Sequence, residues 1–423
     1  MRSLTPKAVQ VAKVAFGESA RAAAVTVDPE TGSVYAAIER QVEFGLDVDV
    51  VKIADLEGND RTPDVSCIMS SQLITQVVSS FSTPVLAPFK LPEGASQVVN
   101  MQYFADDRSL IILMAGGDIA TMTFAEPLMG STSVSSASIQ RQLTTQLEVV
   151  GSIDSGIKAA AWSPDEEQLV LITGEDHVVC MTRTFDELYD EPLRTDDFGD
   201  DKFINVGWGS KTTQFHGSLG KAALMAARAP KPTEPTSFAH PTDDALPRIT
   251  FRGDAKYFAV SSLDPYPSSG VRRQVRFFSR DASEGGVPRL SATSESIAGL
   301  EGPIAWRPSG NVIASLVRYG YEGGGEGRKG RWDVAMLERN GLRHGGFELR
   351  EDEKTWENGV IRGMEWNADS EVLAIWLWTM KNYHYYLKQE IYPHQAGSKR
   401  FVSMRWHPEQ PMTLYVIGEG ESG

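Results

Sequence analysis

Ser218 is the residue of this chain closest to a nucleophile motif. It stands in His216-Gly217-Ser218-Leu219-Gly220, one position short of the GxSxG elbow, because His replaces the first Gly. An elbow needs a strand before the Ser, a helix after it and an α/β-hydrolase sheet around it. No such pattern surrounds Phe203–Lys221 (FINVGWGSKTTQFHGSLGK), so acyl transfer finds no support. Gly325–Gly330 (GEGRKG) matches GxGxxG. A dinucleotide site needs a helix after it to hold the pyrophosphate, and here apolar strand patterns flank both sides. The seven histidines (177, 216, 240, 344, 384, 394 and 407) show no ligand spacing such as HExxH. His177 opens a strand directly after Asp176, a place suited to a structural hydrogen bond. The acidic pairs Asp106-Asp107, Glu166-Glu167, Asp196-Asp197 and Asp200-Asp201 sit in turns, where solvation explains them. The expectation is no catalytic residue, no cofactor and no metal, hence no enzyme.

Binding is the chemistry left. Two segments depart from strand alternation: Phe203–Lys221, with Trp208, Phe215 and His216, and Asn382–Ile391 (NYHYYLKQEI), with Tyr383, His384, Tyr385 and Tyr386. Packing inside the fold is one reading of these aromatics. A partner surface is the other, since exposed aromatics anchor interfaces. Trp208, Phe215, His216, Tyr383, Tyr385 and Tyr386 are the candidate partner surface. Arg272-Arg273, Arg328-Lys329 and Lys399-Arg400 are basic pairs read as loop tips, and Arg272, Arg273, Arg328 and Lys329 are candidate contacts to RNA or an acidic partner. The net charge of −15 repels phosphate backbones on average, so it disfavours nucleic acid without excluding local basic patches.

These residues must be carried by a scaffold, and a repeated phrase identifies it. An apolar run ends on an aromatic or apolar residue, a turn with Pro, Gly or Ala and an acid or Ser follows, and another apolar run begins. Copies centre on Val27, Tyr103, Trp162, Phe251, Trp306, Trp366 and Trp406. In the third, GIKAAAW is followed by Ser163-Pro164-Asp165, then the continuous apolar run Gln168–Thr173, a turn at Gly174–Asp176, and His177–Thr182. Pro presets the turn and Asp bonds its own backbone, while an unbroken apolar run suits a strand covered on both faces. Strand–turn–strand units recurring every few tens of residues indicate an all-β fold, a seven-bladed WD40-type β-propeller. It is expected as one domain over residues 1–423, with insert loops at about 125–145, 190–247 and 318–331. Lys221–Arg228 (KAALMAAR) has the composition of a short helix, and Gly130–Ser138 that of a surface loop.

The closing blade is expected to be incomplete or non-standard. After Trp406 only MTLYVIGEGESG remains, and closure would draw on Leu4–Phe16 or on strands beyond this chain. Leu373–Trp378 (LAIWLW) runs towards Lys381 without turn residues, which suggests a loop missing near Trp376. Two cysteines, Cys67 and Cys180, fit reduced thiols in the cytoplasm, with the nucleus as a second location. No apolar stretch approaches 18 residues and no signal-peptide pattern opens the chain, so no membrane contact is expected.

A family resemblance follows from longer motifs. VGWGSKTTQFHGSLGK, ITFRGDAKYFAVSS, IAWRPSGNVIAS, ERNGLRHGGFEL, MEWNADSEVLAIW and NYHYYLKQEI occur in order, and together they resemble the N-terminal WD-repeat propeller of the largest Elongator subunit, the IKAP family. The likeness is specific over about Phe203–Trp406 and looser before it. That family continues into a second propeller and a helical region that are absent here. The resemblance implies a non-catalytic scaffold that binds other Elongator subunits and supports wobble-uridine modification of tRNA, with the chemistry on a different subunit. It implies a monomeric fragment of a protein that dimerises through its C-terminal part. The alternative is a generic WD-repeat adaptor that also contacts tRNA through basic loops.

Overall fold

A computed structural model describes residues 20–42, 45–53, 89–90, 97–124, 144–194, 238–266, 270–280, 286–322, 324, 327–349, 361–375, 379–382, 387–390 and 400–419. Every element in it is a β-strand. Strands β1 (Ala20–Val27), β2 (Val34–Val42), β3 (Gly45–Ile53) and β4 (Phe89–Lys90) form sheet 1. Sheet 2 holds β5 (Val98–Phe104), β6 (Ser109–Met114), β7 (Asp118–Phe124) and β8 (Thr144–Ser152). Sheet 3 holds β9 (Ile157–Trp162), β10 (Gln168–Thr173), β11 (His177–Thr182) and β12 (Glu187–Pro192). Sheet 4 holds β13 (Arg248–Phe251), β14 (Tyr257–Tyr266), β15 (Gly270–Arg280) and β16 (Pro288–Thr293).

Sheet 5 holds β17 (Leu300–Trp306), β18 (Val312–Arg318), β19 (Trp332–Glu338) and β20 (Arg343–Leu349). Sheet 6 holds β21 (Met364–Trp366), β22 (Val372–Ile375), β23 (Thr379–Asn382) and β24 (Leu387–Glu390). The hairpin β25 (Arg400–Trp406) and β26 (Leu414–Glu419) stands as a two-stranded sheet. In each four-stranded sheet the strands lie side by side in chain order, an antiparallel meander. Residues 221–228, 130–138 and 376–378, where a helix, a surface loop and a missing loop are expected, lie outside the described residues.

The chain divides into two compact units. One comprises residues 1–158, 378–381 and 386–423, the other 159–377 and 382–385. In the first, Tyr35 of β2 stacks on Tyr103 of β5 at 4.8 Å within a core shared by sheets 1 and 2. There β25 packs beside β1, and the Tyr415 hydroxyl donates to the Gly32 carbonyl at 3.3 Å. In the second unit, Phe258 stacks on Phe278 at 4.7 Å, and Trp306 meets Phe277 edge-on at 6.0 Å.

Five copies of the repeated phrase share one geometry. The N–H of the residue after the first strand donates to a carbonyl five positions on: Asp28 to Ser33 at 2.8 Å, Ser163 to Gln168 at 2.8 Å, Arg252 to Tyr257 at 2.9 Å, Arg307 to Val312 at 3.0 Å and Asn367 to Val372 at 2.9 Å. The fourth turn residue is left-handed in five copies: Arg108 (φ 48), Glu166 (φ 59), Ala255 (φ 57), Gly310 (φ 150) and Ser370 (φ 64). Only one of these is Gly, so the other four turns carry the Cβ strain of that conformation. The acid of the phrase offsets it. Asp254 and Asp369 accept the N–H groups of Lys256 and Glu371 at 3.2 and 3.0 Å, which closes an Asx-type turn.

Within each unit the phrase also fastens neighbouring sheets, sheet 1 to 2, 4 to 5 and 5 to 6. The Thr26 hydroxyl accepts the Tyr103 N–H at 3.2 Å, and the Thr250 hydroxyl accepts the Trp306 N–H at 2.9 Å. The Trp366 indole donates to the Ala305 carbonyl at 3.2 Å. In all three, the acceptor sits one residue before a phrase centre and the donor is the next sheet's centre. Replacing Thr250 by Val leaves the Trp306 N–H without its acceptor. Unfolding free energy is expected to fall by about 1–2 kcal/mol, with Thr250→Ser near wild type, as read from urea midpoints. Equal midpoints for the two variants would refute the tie.

Candidate protein-interaction surface

In these meanders one end of each sheet carries the short turns of the phrase. The other end carries the second hairpin and the entry into the first strand. At that second end of sheets 4 and 5, the ten residues before β13, Phe238–Pro247, cross the strand ends as a strap. The Ala239 N–H donates to the Val271 carbonyl at 2.7 Å, and the Tyr321 hydroxyl donates to the Phe238 carbonyl at 2.8 Å. A Cβ at Gly270 would overlap the Phe238 ring, so a larger residue there would displace that ring.

A buried clamp pins the strap. Arg273 of β15 forks onto Asp243, Nε to Oδ2 at 2.7 Å and Nη2 to Oδ1 at 2.6 Å, and its Nη1 donates to the Leu246 carbonyl at 2.9 Å. The Arg273 and Asp243 side chains are 0% and 4% exposed. Burial opposes the charge on Asp243, but the Arg273 fork, the Ala245 N–H and Arg248 outweigh it and hold the carboxyl below its usual range. Gly302 lies beneath, where a Cβ would come 3.1 Å from the guanidinium carbon. Arg318 of β18 makes a second attachment. Its Nη1 reaches the His240 ring at 2.8 Å and Thr242 Oγ1 at 3.3 Å, while its guanidinium rests on Trp332 at 4.2 Å. Beside it, Arg276 forks onto Asp264 at 2.6 Å, and Arg194 joins Asp264 to Asp176.

Three of the most exposed large apolar side chains gather here: Phe238 (36%), Leu246 (45%) and Val271 (47%). Apolar residues grouped on a rigid support are the physical mark of a docking surface. Arg328 and Lys329, in the connection between β18 and β19, are exposed as read from sequence. Arg272 and Arg273 are not loop tips. Both lie in β15; Arg273 is committed to Asp243, and Arg272 Nη1 donates to Ser296 at 3.0 Å. The sequence reading placed them in a loop because this end of β15 carries charges instead of an apolar run. Trp208, Phe215, His216, Tyr383, Tyr385 and Tyr386 lie outside the described residues, as does Ser218. The one sequence signal for the strap was Asp243-Asp244 in a Pro-rich stretch before a strand. Nothing local pointed to an arginine 30 residues on.

Two other motifs singled out in the sequence have structural roles. His177 Nδ1 meets Asp190 of β12 at 2.7 Å. The described part of Gly325–Gly330 joins two antiparallel strands, with no helix to receive a phosphate. Among the described residues no group of three His, Cys, Asp or Glu could hold a metal, and no helix is long and apolar enough to cross a membrane.

Repeated four-stranded antiparallel meanders, tied through a common position of their first strands, define the β-propeller class. A family model described as the ELP1 first N-terminal β-propeller matches residues 21–409, and the chain belongs to that family. Elongator complex protein 1 of Mus musculus is 36% identical over 350 residues, 78% of this chain and 23% of its own length. The Saccharomyces cerevisiae protein of the same name is 35% identical over 391 residues, 84% of this chain and 27% of its own length. The Drosophila melanogaster one is 29% identical over 376 residues, 86% of this chain and 26% of its own length. The chain thus spans about a quarter of these relatives.

Breaking the clamp from either side strands a buried charge. Arg273→Met and Asp243→Leu are each expected to cost about 3–5 kcal/mol, and the double variant less than either alone. Additive losses in a denaturation cycle would show that the pair is not coupled.

Proposed function

We propose that this chain is a non-catalytic propeller of an Elongator assembly, a rigid platform that presents loops to other subunits. The observation that carries this is the family match over residues 21–409, joined by relatives named Elongator complex protein 1 along most of the chain. The fold suits the role. Stiff sheets hold loop-borne side chains in fixed positions at little entropic cost. Its contribution to wobble-uridine modification of tRNA is then indirect, through assembly, in the cytoplasm. On this reading the 423 residues form one propeller and stay monomeric in isolation, while a full-length protein dimerises elsewhere.

The contact surface we assign comprises the β12–β13 connection with Trp208, Phe215 and His216, and the segment with Tyr383, Tyr385 and Tyr386. The exposed apolar cluster on the strap, where that connection enters β13, supports it. A second reading, tRNA contact, rests on exposed Arg328 and Lys329. It would show as a tRNA mobility shift that weakens steeply with salt and is lost in R328E/K329E. For the scaffold reading, the double variant Phe215→Ala, Tyr385→Ala is expected to reduce capture of co-expressed Elongator subunits at least tenfold at unchanged melting temperature. Wild-type capture by that variant would defeat the assigned surface, and no capture by the parent chain would defeat the scaffold reading itself.

A further inference from the structure

Glu301 of β17 sits directly beneath the strap's attachment. It is 7% exposed, and its Oε1 has no hydrogen-bond partner. The nearest cation is Arg318, with Nε 3.9 Å from Oε1, too far to bond, and this is the guanidinium that holds His240 and Thr242. From the strap, Asp243 and Asp244 set negative charge against Glu301. Arg273 of β15 and Arg318 of β18 set positive charge towards it, and the Tyr321 hydroxyl feels it from the loop after β18. His240 faces Arg318 and Asp243 and meets the Tyr321 ring edge-on at 4.8 Å. Arg248 of β13 acts on Asp243 and pairs with Asp244. One guanidinium is therefore shared between a buried, unbonded carboxyl below and an imidazole on the strap above.

We propose that Phe238–Leu246 is a proton-controlled latch: ionisation of Glu301 sets its charge against Asp243 and Asp244 and draws Arg318 away from His240 and Thr242, loosening the strap, while protonation of His240 loosens it by repulsion from Arg318.

The two proton sites act with opposite sign. Burial, reinforced by Asp243 and opposed by Arg318, pushes the Glu301 carboxyl up to about 7 from 4.5. The closed strap then prefers the protonated form. Closure is strongest below the solvated value and is lost as pH rises from about 4.5 through about 7. Burial and then Arg318 push His240 below its ordinary 6.5. Closure through His240 is complete above 6.5 and is lost as pH falls below that value. Between 6.5 and 7 only Glu301 acts; below 6.5 the two oppose each other.

Hydrogen exchange at the Ala239 amide, bonded to Val271 O at 2.7 Å, and at the Ala245 amide, bonded to Asp243 Oδ1 at 2.8 Å, reads strap opening. The probe is the whole chain between pH 5 and 8, corrected for intrinsic exchange, with the Val170 amide as a core reference. One linked proton changes an opening constant by at most tenfold per pH unit. In H240N, strap protection is expected to fall at least fivefold from pH 5 to 7.5. In E301Q the slope should reverse, protection falling below pH 6.5, and in the double variant it should be flat. Should E301Q fail to fold by thermal melting, E301M is measured in its place. An E301Q profile identical to wild type, or strap amides that exchange in step with Val170, would overturn the latch.

Discussion

The second strands of sheets 2 and 3 are buried on both faces, and the structure around them is organised to cover them. Ser109–Met114 and Gln168–Thr173 are buried at every position. A meander with such a strand cannot stand alone in water. It needs another layer on each side, as propeller blades have. Apolar contact is non-directional, so it brings sheets together without setting their register. Where it is formed, the bond from the position before a phrase centre to the next sheet's centre supplies direction. Thr26, Thr250 and Ala305 serve the same station with two chemistries, hydroxyl and carbonyl. The geometry of the station is what repeats, since a threonine is present in only two of the three.

The phrase turns are the constrained points of that arrangement. They are four to seven residues long and closed by their own backbone and Asx bonds. They also interlock: the Gly253 N–H donates to the Pro308 carbonyl at 3.1 Å, and the Ser309 N–H donates to the Ser370 hydroxyl at 2.8 Å. At the opposite ends the chain is released from this register. Two long connections fall there, between β12 and β13 and between β18 and β19, with the strap and its exposed Phe238, Leu246 and Val271, while those between β3 and β4 and between β7 and β8 leave from the phrase end. Loops on a rigid frame are where recognition concentrates, because the frame absorbs the cost of holding them.

What was legible in the sequence follows from the same physics. The first three strands of sheets 2 and 3 were readable to within a residue, because each is a largely apolar run and the turns between them contain Gly, Pro or Asp. The fourth strands were not. Glu187–Pro192 (ELYDEP) is largely exposed and Arg343–Leu349 (RHGGFEL) only partly covered, and pairing with β11 and β19 makes them strands. An outer strand has a single neighbour and need not be apolar, so no periodicity announces it. The strap was hidden for a different reason. Asp243 and Arg273 are ordinary turn and surface residues by type, and their burial is created by β14–β17 folding around them. Sequence pattern carries local chemistry well. It does not carry a contact between a loop acid and a strand arginine 30 residues apart.

The choice of an ion pair as the strap's anchor has a consequence of its own. An apolar plug of similar volume would hold the segment at least as strongly, since two buried charges lose most of their attraction to desolvation. A plug would, however, tolerate sliding. Arg273 presents a planar fork with a fixed set of donors, and these are satisfied together by both Asp243 oxygens and the Leu246 carbonyl in one register only. A shift that placed Thr242 opposite the guanidinium would offer one side-chain oxygen in place of two and leave a buried donor unmatched. The clamp therefore fixes where Phe238 and Leu246 emerge, more than how tightly the strap is held. Fixed emergence is what a docking surface on a loop requires, because a side chain that must be found in place by a partner gains affinity from being ordered beforehand.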